Sequence, residues 1–155
     1  MVDTILVTGA TGTVGSEVTK QLISSPTSNF NIKAAVHSQE SVNRVAAETR
    51  VKPVLIDYNK PDTIEEAFKD VDRLFLLTPF QSNMVELSSN LVNVAKKKTG
   101  AVKHIVKLSV MGADAKPGIT GGRLHRQAEN IIKESGISYT FLRPNFFMQN
   151  FINFF

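Results

Sequence analysis

A glycine-rich stretch near the N-terminus has the spacing of a phosphate-binding turn. The sequence VTGATGTVG, residues 7–15, places Gly9, Gly12 and Gly15 between an apolar run and an amphipathic one. A chain that reverses tightly, exposes N–H groups to a pyrophosphate and packs a helix close to a strand needs residues without side chains there. The positive end of the helix dipole then favours the anion. A merely tight strand-to-helix turn is the alternative, but the flanking strand and helix patterns favour dinucleotide binding.

The end of the second apolar run bears on which dinucleotide would bind. A carboxylate about 20 residues after the glycines would accept a hydrogen bond from the ribose 2′-hydroxyl of NAD. Here the run ends AAVHS, residues 34–38, which contains no acid. Because an acid would repel a 2′-phosphate, its absence favours NADP over NAD, with His37, Ser38 and Arg44 as candidate phosphate contacts. His37 could equally be a surface residue that follows a strand.

Asp57 closes the third apolar run, in the stretch IDYNKP at residues 56–61. A carboxylate at this place faces the ligand crevice of a parallel sheet and can accept from an adenine amino group. Alternatively Asp57 caps the turn into the next helix, a role for which Asn59 and Asp62 compete. Both interpretations stay open from the residues alone.

These candidates require a fold that brings the ends of several strands together. Short apolar runs alternate with amphipathic stretches, which is typical of βαβ units and a parallel sheet. The six predicted strands are residues 4–7, 32–36, 53–56, 74–77, 104–108 and 139–142. The predicted helices are residues 14–22, 61–68, 84–95 and 124–132, with Gly100 and Gly136 as C-terminal caps and a long loop at 111–122. Right-handed crossovers then give an α/β, doubly wound parallel sheet of the Rossmann type over residues 1–144.

The composition excludes several classes of protein. The chain of 155 residues has no cysteine, which excludes disulfides and thiolate metal sites, and no metal site is expected. The N-terminus does not have the pattern of a signal peptide, and no apolar run approaches the ~20 residues of a membrane helix, so we expect a cytoplasmic protein without a membrane partner. The net charge of +4 is scattered, and its dense run, residues 96–98, lies at a predicted helix end. A nucleic-acid partner is therefore not expected.

Five segments spread over almost the whole chain resemble the NmrA-like branch of the atypical short-chain dehydrogenases/reductases. They are TGATGTVG, IDYNKPDTIEEAF, VKHIVKLSVMGA, HRQAE and SGISYTFLRPNFFMQN. This branch includes NADPH quinone reductases, triphenylmethane reductase and redox-sensing regulators. The resemblance implies a Rossmann-type NAD(P)-binding fold, of which this chain matches the N-terminal half.

The resemblance also implies roles for individual residues. The pyrophosphate turn would be formed by Gly9, Thr11, Gly12, Thr13, Val14 and Gly15. The adenine would lie by Asp57 and Tyr58, the ribose above Leu77, Thr78 and Pro79, and the nicotinamide near Ser109, Val110, Pro144, Asn145 and Phe146. His37 stands where the family often has arginine, which weakens the grip expected on a 2′-phosphate.

One departure from the wider superfamily concerns proton transfer. Its main branch uses Tyr-x-x-x-Lys, in which the lysine lowers the pKa of the tyrosine so that it can protonate the substrate. Counted back from Glu129, the tyrosine position holds Gly121 and the lysine position holds His125, a substitution that the NmrA-like branch shares. His125 is thus a candidate catalytic proton donor or ribose contact, or else a surface residue paired with Glu129 at i+4. Hydride transfer to an electron-poor acceptor needs no such pair.

Residues 145–155 contain five of the ten phenylalanines. Members of the NmrA-like branch run to nearly twice this length, and their C-terminal half closes over the nicotinamide. We therefore interpret residues 145–155 as an aromatic segment crossing towards a substrate lobe that is largely absent here. The rings would fold back over the empty substrate side, pair with a second chain, or belong to a fragment of a longer protein. We expect a fragment or a shortened member that self-associates.

The resemblance implies an NAD(P)H-dependent oxidoreductase that transfers hydride to a quinone or similar small aromatic acceptor. A non-catalytic redox sensor of the NmrA type fits the missing tyrosine–lysine pair equally well. An inactive, self-associating fragment is a further alternative. Sugar epimerase or dehydratase chemistry is disfavoured because it needs the tyrosine.

Overall fold

A computed structural model describes residues 2–26, 29–47, 50–97 and 102–154. Within these residues six strands alternate with six helices. The strands are β1 (Asp3–Val7), β2 (Phe30–Val36), β3 (Val51–Leu55), β4 (Arg73–Leu76), β5 (His104–Leu108) and β6 (Ser138–Leu142). The helices are α1 (Thr13–Ser24), α2 (Gln39–Val45), α3 (Pro61–Ala67), α4 (Met84–Lys97), α5 (Thr120–Glu134) and α6 (Gln149–Phe154).

The strands form one parallel sheet in the order β3-β2-β1-β4-β5-β6. At the centre, Leu6 of β1 lies opposite Lys33 of β2 on one side and Leu74 of β4 on the other. The order reverses between β1 and β4, so the connections leave this point in opposite directions and open a crevice at the carboxyl ends of the strands. This is the doubly wound Rossmann-type sheet that the sequence predicts.

Two apolar clusters cover the two faces of the sheet. On one face Leu74 and Ile105 pack with Leu91 of α4 and Ile132 of α5. On the other face Val7, Ala34 and Phe75 pack with partly buried residues of α1 and α2. Burial of a large aliphatic side chain contributes about 1.5–3 kcal/mol, so the two clusters hold the helices against the sheet and set where their ends lie.

The sequence-based assignment misses two helices and shifts several boundaries by a few residues. α2 has seven residues, too few for a clear apolar period, and α6 lies in the segment interpreted only as a crossing. The predicted loop at 111–122 is too long, because α5 already begins at Thr120 and contains Gly121 and Gly122. Gly136 follows α5 with φ +77° and confirms the predicted cap, whereas Gly100 lies outside the described residues.

Candidate functional site

The glycine turn is sterically obligatory. Gly9 has φ +63°, and its carbonyl oxygen accepts a 3.0 Å hydrogen bond from the Gly12 N–H. A Cβ atom on Gly15 would lie 2.1 Å from that same carbonyl oxygen, and one on Gly9 would lie 2.6 Å from Leu77 Cδ2. Both glycines are therefore required for the chain to turn back against β4 and for α1 to start close behind the turn.

The N-terminus of α1 is left without a side-chain cap. Its N-cap is Gly12, and no acidic residue stands in the first turn of this helix. The first N–H groups of a helix have no intrahelical partner and carry the positive end of its dipole. Because Gly12, Thr13 and Val14 line the neighbouring cleft, this end of α1 is suited to an anion such as a pyrophosphate.

Thr8, just before the turn, joins the end of β1 to the end of β4. Its hydroxyl donates to the Leu77 carbonyl oxygen and accepts from the Leu77 N–H, each at 2.8 Å. This pair of bonds sets the distance between the glycine turn and the chain leaving β4. The sequence does not indicate this contact, because Leu77 lies 69 residues from Thr8.

The main cleft, of about 620 Å³, lies between the start of α1, the ends of β4, β5 and β6, and the start of α5. Many of the predicted site residues line it: Gly12, Thr13, Val14, Leu77, Thr78, Ser109, Val110, His125, Pro144, Asn145 and Phe146. Phe80, Met111 and Ile119 also line it and do not figure in the prediction. Strand ends that are far apart in the sequence are thus brought to one cavity.

The remaining predicted contacts lie mainly in two smaller hollows. A small hollow of about 220 Å³ is lined by residues that include His37, Asp57, Tyr58 and Pro79. A side hollow of about 320 Å³ is lined in part by Thr11 and Arg44. The Ser38 side chain has a structural role, because it caps α2 by accepting a 3.1 Å hydrogen bond from the Ser41 N–H.

The rings of His37 and Tyr58 pack against each other in the small hollow. His37 Nδ1 lies 3.0 Å from the Ile56 carbonyl oxygen and must therefore donate to it, since a carbonyl only accepts. The imidazole stands edge-on to the Tyr58 ring, with 4.8 Å between the ring centroids. His37 is exposed but fixed in orientation, which leaves Nε2 as the nitrogen suited to an outside partner.

Asp57 stabilises the turn that follows β3. Its Oδ1 accepts a 3.0 Å bond from the Asn59 N–H, and Oδ2 lies 3.6 Å from Lys60 Nζ. The Asn59 N–H, with Lys60 as a second cause, lowers the pKa of Asp57. Within the protein the Asp57 carboxylate therefore stabilises this turn, as the capping interpretation predicts. Its position in the small hollow still allows a contact with a ligand.

Three buried polar atoms around these cavities have no hydrogen-bond partner among the described residues. They are the Tyr58 hydroxyl, Thr78 Oγ1 and His125 Nδ1. Burial raises the pKa of Tyr58 to about 12, an effect that the neighbouring Thr8 hydroxyl only partly offsets. Buried polar groups are nearly always satisfied, so three such atoms along one edge of the sheet fit a polar ligand that spans both cavities.

A charge cluster around the buried Glu129 lies beside the main cleft. Arg143 binds Glu129 with two hydrogen bonds, Nε to Oε1 at 2.9 Å and Nη2 to Oε2 at 2.6 Å. Ser109 Oγ donates to Oε1 at 2.6 Å, and Arg143 Nη1 reaches Asp114 at 2.9 Å. Burial pushes the pKa of Glu129 upward, but the bonds from Arg143 and Ser109 leave it below its ordinary value. The cluster ties α5, β6 and the loop after β5 together.

His125 does not pair with Glu129, so that alternative is wrong: the carboxylate is taken by Arg143 and Ser109. Burial, with the charge of Lys107 as a second cause, lowers the pKa of His125 to about 4. The imidazole is therefore neutral near pH 7 and cannot act there as an imidazolium acid. It remains able to donate or accept one hydrogen bond at the wall of the main cleft.

The aromatic segment lies beside the main cleft. Phe146 and Phe147 line the cavity together with Asn150 of α6. The rings of Phe146 and Phe151 pack edge-on at 5.5 Å, yet each is more than half exposed. Self-packing therefore covers only part of their surface. The side chain of Phe154 and the whole of Phe155 lie outside the described residues.

The described part of the chain contains neither a cluster of metal ligands nor a membrane-spanning helix. No group of three or more His, Asp or Glu side chains within it is placed to hold a metal ion. No helix within it is long and apolar enough to cross a membrane.

The parallel sheet, its switch point and the glycine turn together define a Rossmann-type dinucleotide-binding domain. The sequence model of a family described as NAD(P)H-binding matches residues 9–151. The NAD(P)H azoreductase of Xenophilus azovorans is 34% identical over 148 residues, which is 96% of this chain and 50% of that protein. An NmrA-like family domain-containing oxidoreductase of Aspergillus flavus is 30% identical, over 94% of this chain and 48% of that protein.

Two solved structures have the same fold. An NADPH-dependent quinone oxidoreductase from Escherichia coli in complex with NADPH matches with a TM-score of 0.84 and 28% identity, over 96% of this chain and 51% of that one. The triphenylmethane reductase of Citrobacter sp. in complex with NADP(H) matches with a TM-score of 0.84 and 31% identity, over 96% of this chain and 52% of that one. The chain therefore belongs to the NAD(P)H-binding family and has NmrA-like oxidoreductases as relatives, as the resemblance predicts. It spans about half the length of the curated relatives it matches.

Proposed function

We propose that this chain is the cofactor-binding part of an NAD(P)H-dependent reductase that passes hydride to a quinone or similar electron-poor acceptor. The observation that carries the proposal is the uncapped N-terminus of α1, which opens onto the main cleft beside the unpartnered Thr78 and His125 atoms. A pyrophosphate at α1 would satisfy the free N–H groups, and the rest of the dinucleotide would extend towards Tyr58 on one side and His125 on the other.

NADPH is proposed as the preferred cofactor. The residues that follow β2 are His37 and Ser38, and neither carries the negative charge that would repel a 2′-phosphate. Arg44, in the last turn of α2, lines the side hollow beside Thr11 of the glycine turn and adds positive charge on that side. The NADPH complex of the quinone oxidoreductase relative supports the same preference.

The acceptor is proposed to be planar and conjugated. Bound nicotinamide supplies the hydride, and the residues of this chain hold the ring, exclude water and present an apolar wall. Phe80, Met111, Ile119, Phe146 and Phe147 supply that wall. The names of the relatives, a quinone oxidoreductase and an azoreductase, support this acceptor class. Since His125 is neutral near pH 7, the proton that such an acceptor also takes up comes from water.

The first experiment is a calorimetric titration of the chain with NADPH and, separately, with NADH. We expect micromolar NADPH binding and weaker NADH binding. A Thr13→Asp variant places a negative charge at the start of α1 and should lose NADPH affinity, whereas the near-isosteric Thr13→Asn variant should keep it. Equal binding of both dinucleotides would refute the NADPH preference. Unchanged binding by Thr13→Asp would refute the pyrophosphate site.

NADPH oxidation with menadione, a naphthoquinone, then separates the enzyme from its rivals. Turnover supports the reductase. Cofactor binding without oxidation by any acceptor would favour the redox-sensor alternative, and no binding at all would favour the inactive fragment. We further propose that the chain acts in the cytoplasm and self-associates through Phe146, Phe147 and Phe151, whose rings are partly exposed. A monodisperse monomer by light scattering at micromolar concentration would refute that association.

A further inference from the structure

Phe80 occupies an unusual position at the wall of the main cleft. It lies four residues after β4 and is 70% exposed, although it is a large apolar side chain. Its ring is nearly parallel to the His125 imidazole, with an angle of 11° between the planes and 6.3 Å between the centroids. Met111, Ile119 and Phe146 are also more than half exposed around the same cavity, and a contiguous apolar patch of this kind marks a contact with another molecule.

The Phe80 ring packs against Gly121, which has no side chain to obstruct it. A Cβ atom on Gly121 would lie 3.1 Å from Phe80 Cζ and 3.2 Å from Phe80 Cε2. The next residue, Gly122, is required for a different reason, because its Cβ would lie 3.0 Å from the Gly112 carbonyl oxygen. Glycine in a helix costs about 1 kcal/mol relative to alanine, and for Gly121 the Phe80 ring is the contact that accounts for it.

Counted back from Glu129, Gly121 is also the position to which the resemblance assigns the catalytic tyrosine of the wider superfamily. In this structure the space next to Gly121 is taken by the Phe80 ring, which arrives from the loop after β4. Any side chain at position 121 would press on the observed Phe80 ring. Glycine at this position therefore leaves room for a flat aromatic surface in the wall of the main cleft.

We propose that Phe80, seated on Gly121, is the specificity-determining residue that stacks on the planar ring system of the acceptor. This inference rests on the proposed function, since it assigns the acceptor side of the same cleft. A flat conjugated ring stacks on Phe80 with offset or edge contacts, whereas a non-planar acceptor of equal volume does not. Because Gly121 has no side chain, the Phe80 ring can pack against its backbone. Any side chain at position 121 would displace the ring.

A double-mutant cycle tests the contact. The variants are Phe80→Ala, Gly121→Ala and the two together, with Phe80→Tyr as the conservative replacement and Gln127→Ala, an exposed position on α5, as the control. The readout is the dissociation constant for menadione with NADP⁺ bound, because the oxidised cofactor has no hydride to transfer. We expect Phe80→Ala and Gly121→Ala each to weaken menadione binding about two- to tenfold, the range that one aromatic pair contributes. Gly121→Ala should have no further effect once Phe80 is removed.

Folding and cofactor binding are monitored in parallel. Alanine is a better helix former than glycine, so Gly121→Ala should unfold at the same or a higher temperature although it binds menadione less well. NADPH affinity by calorimetry should be the same in all variants. If it is lost already in the wild-type chain, the proposed function fails, whatever Phe80 does. Unchanged menadione affinity in Phe80→Ala, or an equal effect of Gly121→Ala in both backgrounds, would overturn the assignment of Phe80.

The sequence has no tryptophan, which allows a second readout that does not depend on turnover. In a Phe80→Trp variant, menadione should quench the fluorescence of the single indole in a saturable way. A Tyr139→Trp variant, on the exposed edge strand β6, controls for collisional quenching. Equal, non-saturating quenching of the two variants would also overturn the proposal. If wild-type chain with NADP⁺ bound binds no menadione, the stacking role is likewise refuted, while the cofactor site is judged by its own titration.

Discussion

Lys107 is a buried cation whose removal should stabilise the protein. It is fully buried in β5, and its ammonium donates a 3.2 Å hydrogen bond to the Leu108 carbonyl oxygen. The nearest acid that acts on it electrostatically is Glu129, whose two oxygens are already bonded to Arg143 and Ser109. Burial lowers the pKa of Lys107 to about 8, with Glu129 only partly opposing the effect.

This lowered pKa converts into a dependence of stability on pH. Between about pH 8 and 10.5 the unfolded chain keeps a proton on Lys107 that the folded chain has lost, so stability rises with pH in this window. Each pKa unit corresponds to about 1.4 kcal/mol, so the buried ammonium costs the folded state about 3 kcal/mol below pH 8. A methionine of similar length avoids this cost. Lys107→Met should therefore raise the free energy of unfolding at pH 7 by about 1–3 kcal/mol.

Urea denaturation of wild type and Lys107→Met, repeated at intervals from pH 7 to 10.5, measures this effect. The difference between the two curves isolates Lys107 from other groups that titrate in the same range, such as Tyr58. It should be largest at pH 7 and shrink towards zero at pH 10.5. The matched control is Lys96→Met on the exposed side of α4, which should leave the pH dependence unchanged.

A flat difference curve, or a Lys107→Met variant that is less stable than wild type at pH 7, would refute the reasoning. The first result would mean that Lys107 keeps its ordinary pKa in the fold. The second would mean that the ammonium makes stronger compensating interactions than its bond to Leu108 and its attraction to Glu129.

Three further predictions concern the glycine turn, the helix end and the buried ion pair. Gly15→Ala should lower the free energy of unfolding, measured by urea denaturation, by about 2 kcal/mol or more and abolish NADPH binding, because the new Cβ would lie 2.1 Å from a backbone oxygen. Gly12→Ala should have a smaller effect, because its Cβ would lie 3.3 Å from the nearest atom. Thr13→Asp should weaken NADPH binding about ten- to a hundredfold by calorimetry without lowering the unfolding temperature. Arg143→Gln should destabilise the fold by about 2–3 kcal/mol, because buried Glu129 loses two hydrogen bonds from a partly exposed cation; equal stability in urea would contradict this.

The features predictable from the sequence are those that depend on neighbouring residues. The glycine turn is one, because Gly9, Gly12 and Gly15 lie within seven residues and their spacing sets the backbone. All six strands are predicted to within two residues, since strands in the interior of a parallel sheet favour continuous apolar side chains. α2 escapes prediction because its seven residues carry too little periodic signal.

The site itself is only partly predictable for the same reason. Many of the residues assigned to the cofactor do line the main cleft, because the carboxyl ends of parallel strands meet at one edge. Phe80 and Lys107 are missed, since an exposed phenylalanine in a loop and a lysine in a strand look ordinary in the sequence. The neighbouring residues in the sequence do not indicate that Phe80 packs on Gly121 or that Lys107 is buried near His125.

The sequence by itself determined the class of fold and the glycine turn after β1, because both follow from local patterns of apolar residues and glycines. Only the tertiary structure decided that Glu129 is bonded to Arg143 and Ser109 rather than to His125, and that Phe80 fills the space beside Gly121. These contacts join residues 14 to 41 positions apart in the chain, on different strands, helices and loops. Their partners are selected by distance and burial once the sheet has formed, and those quantities have no counterpart in the order of residues along the chain.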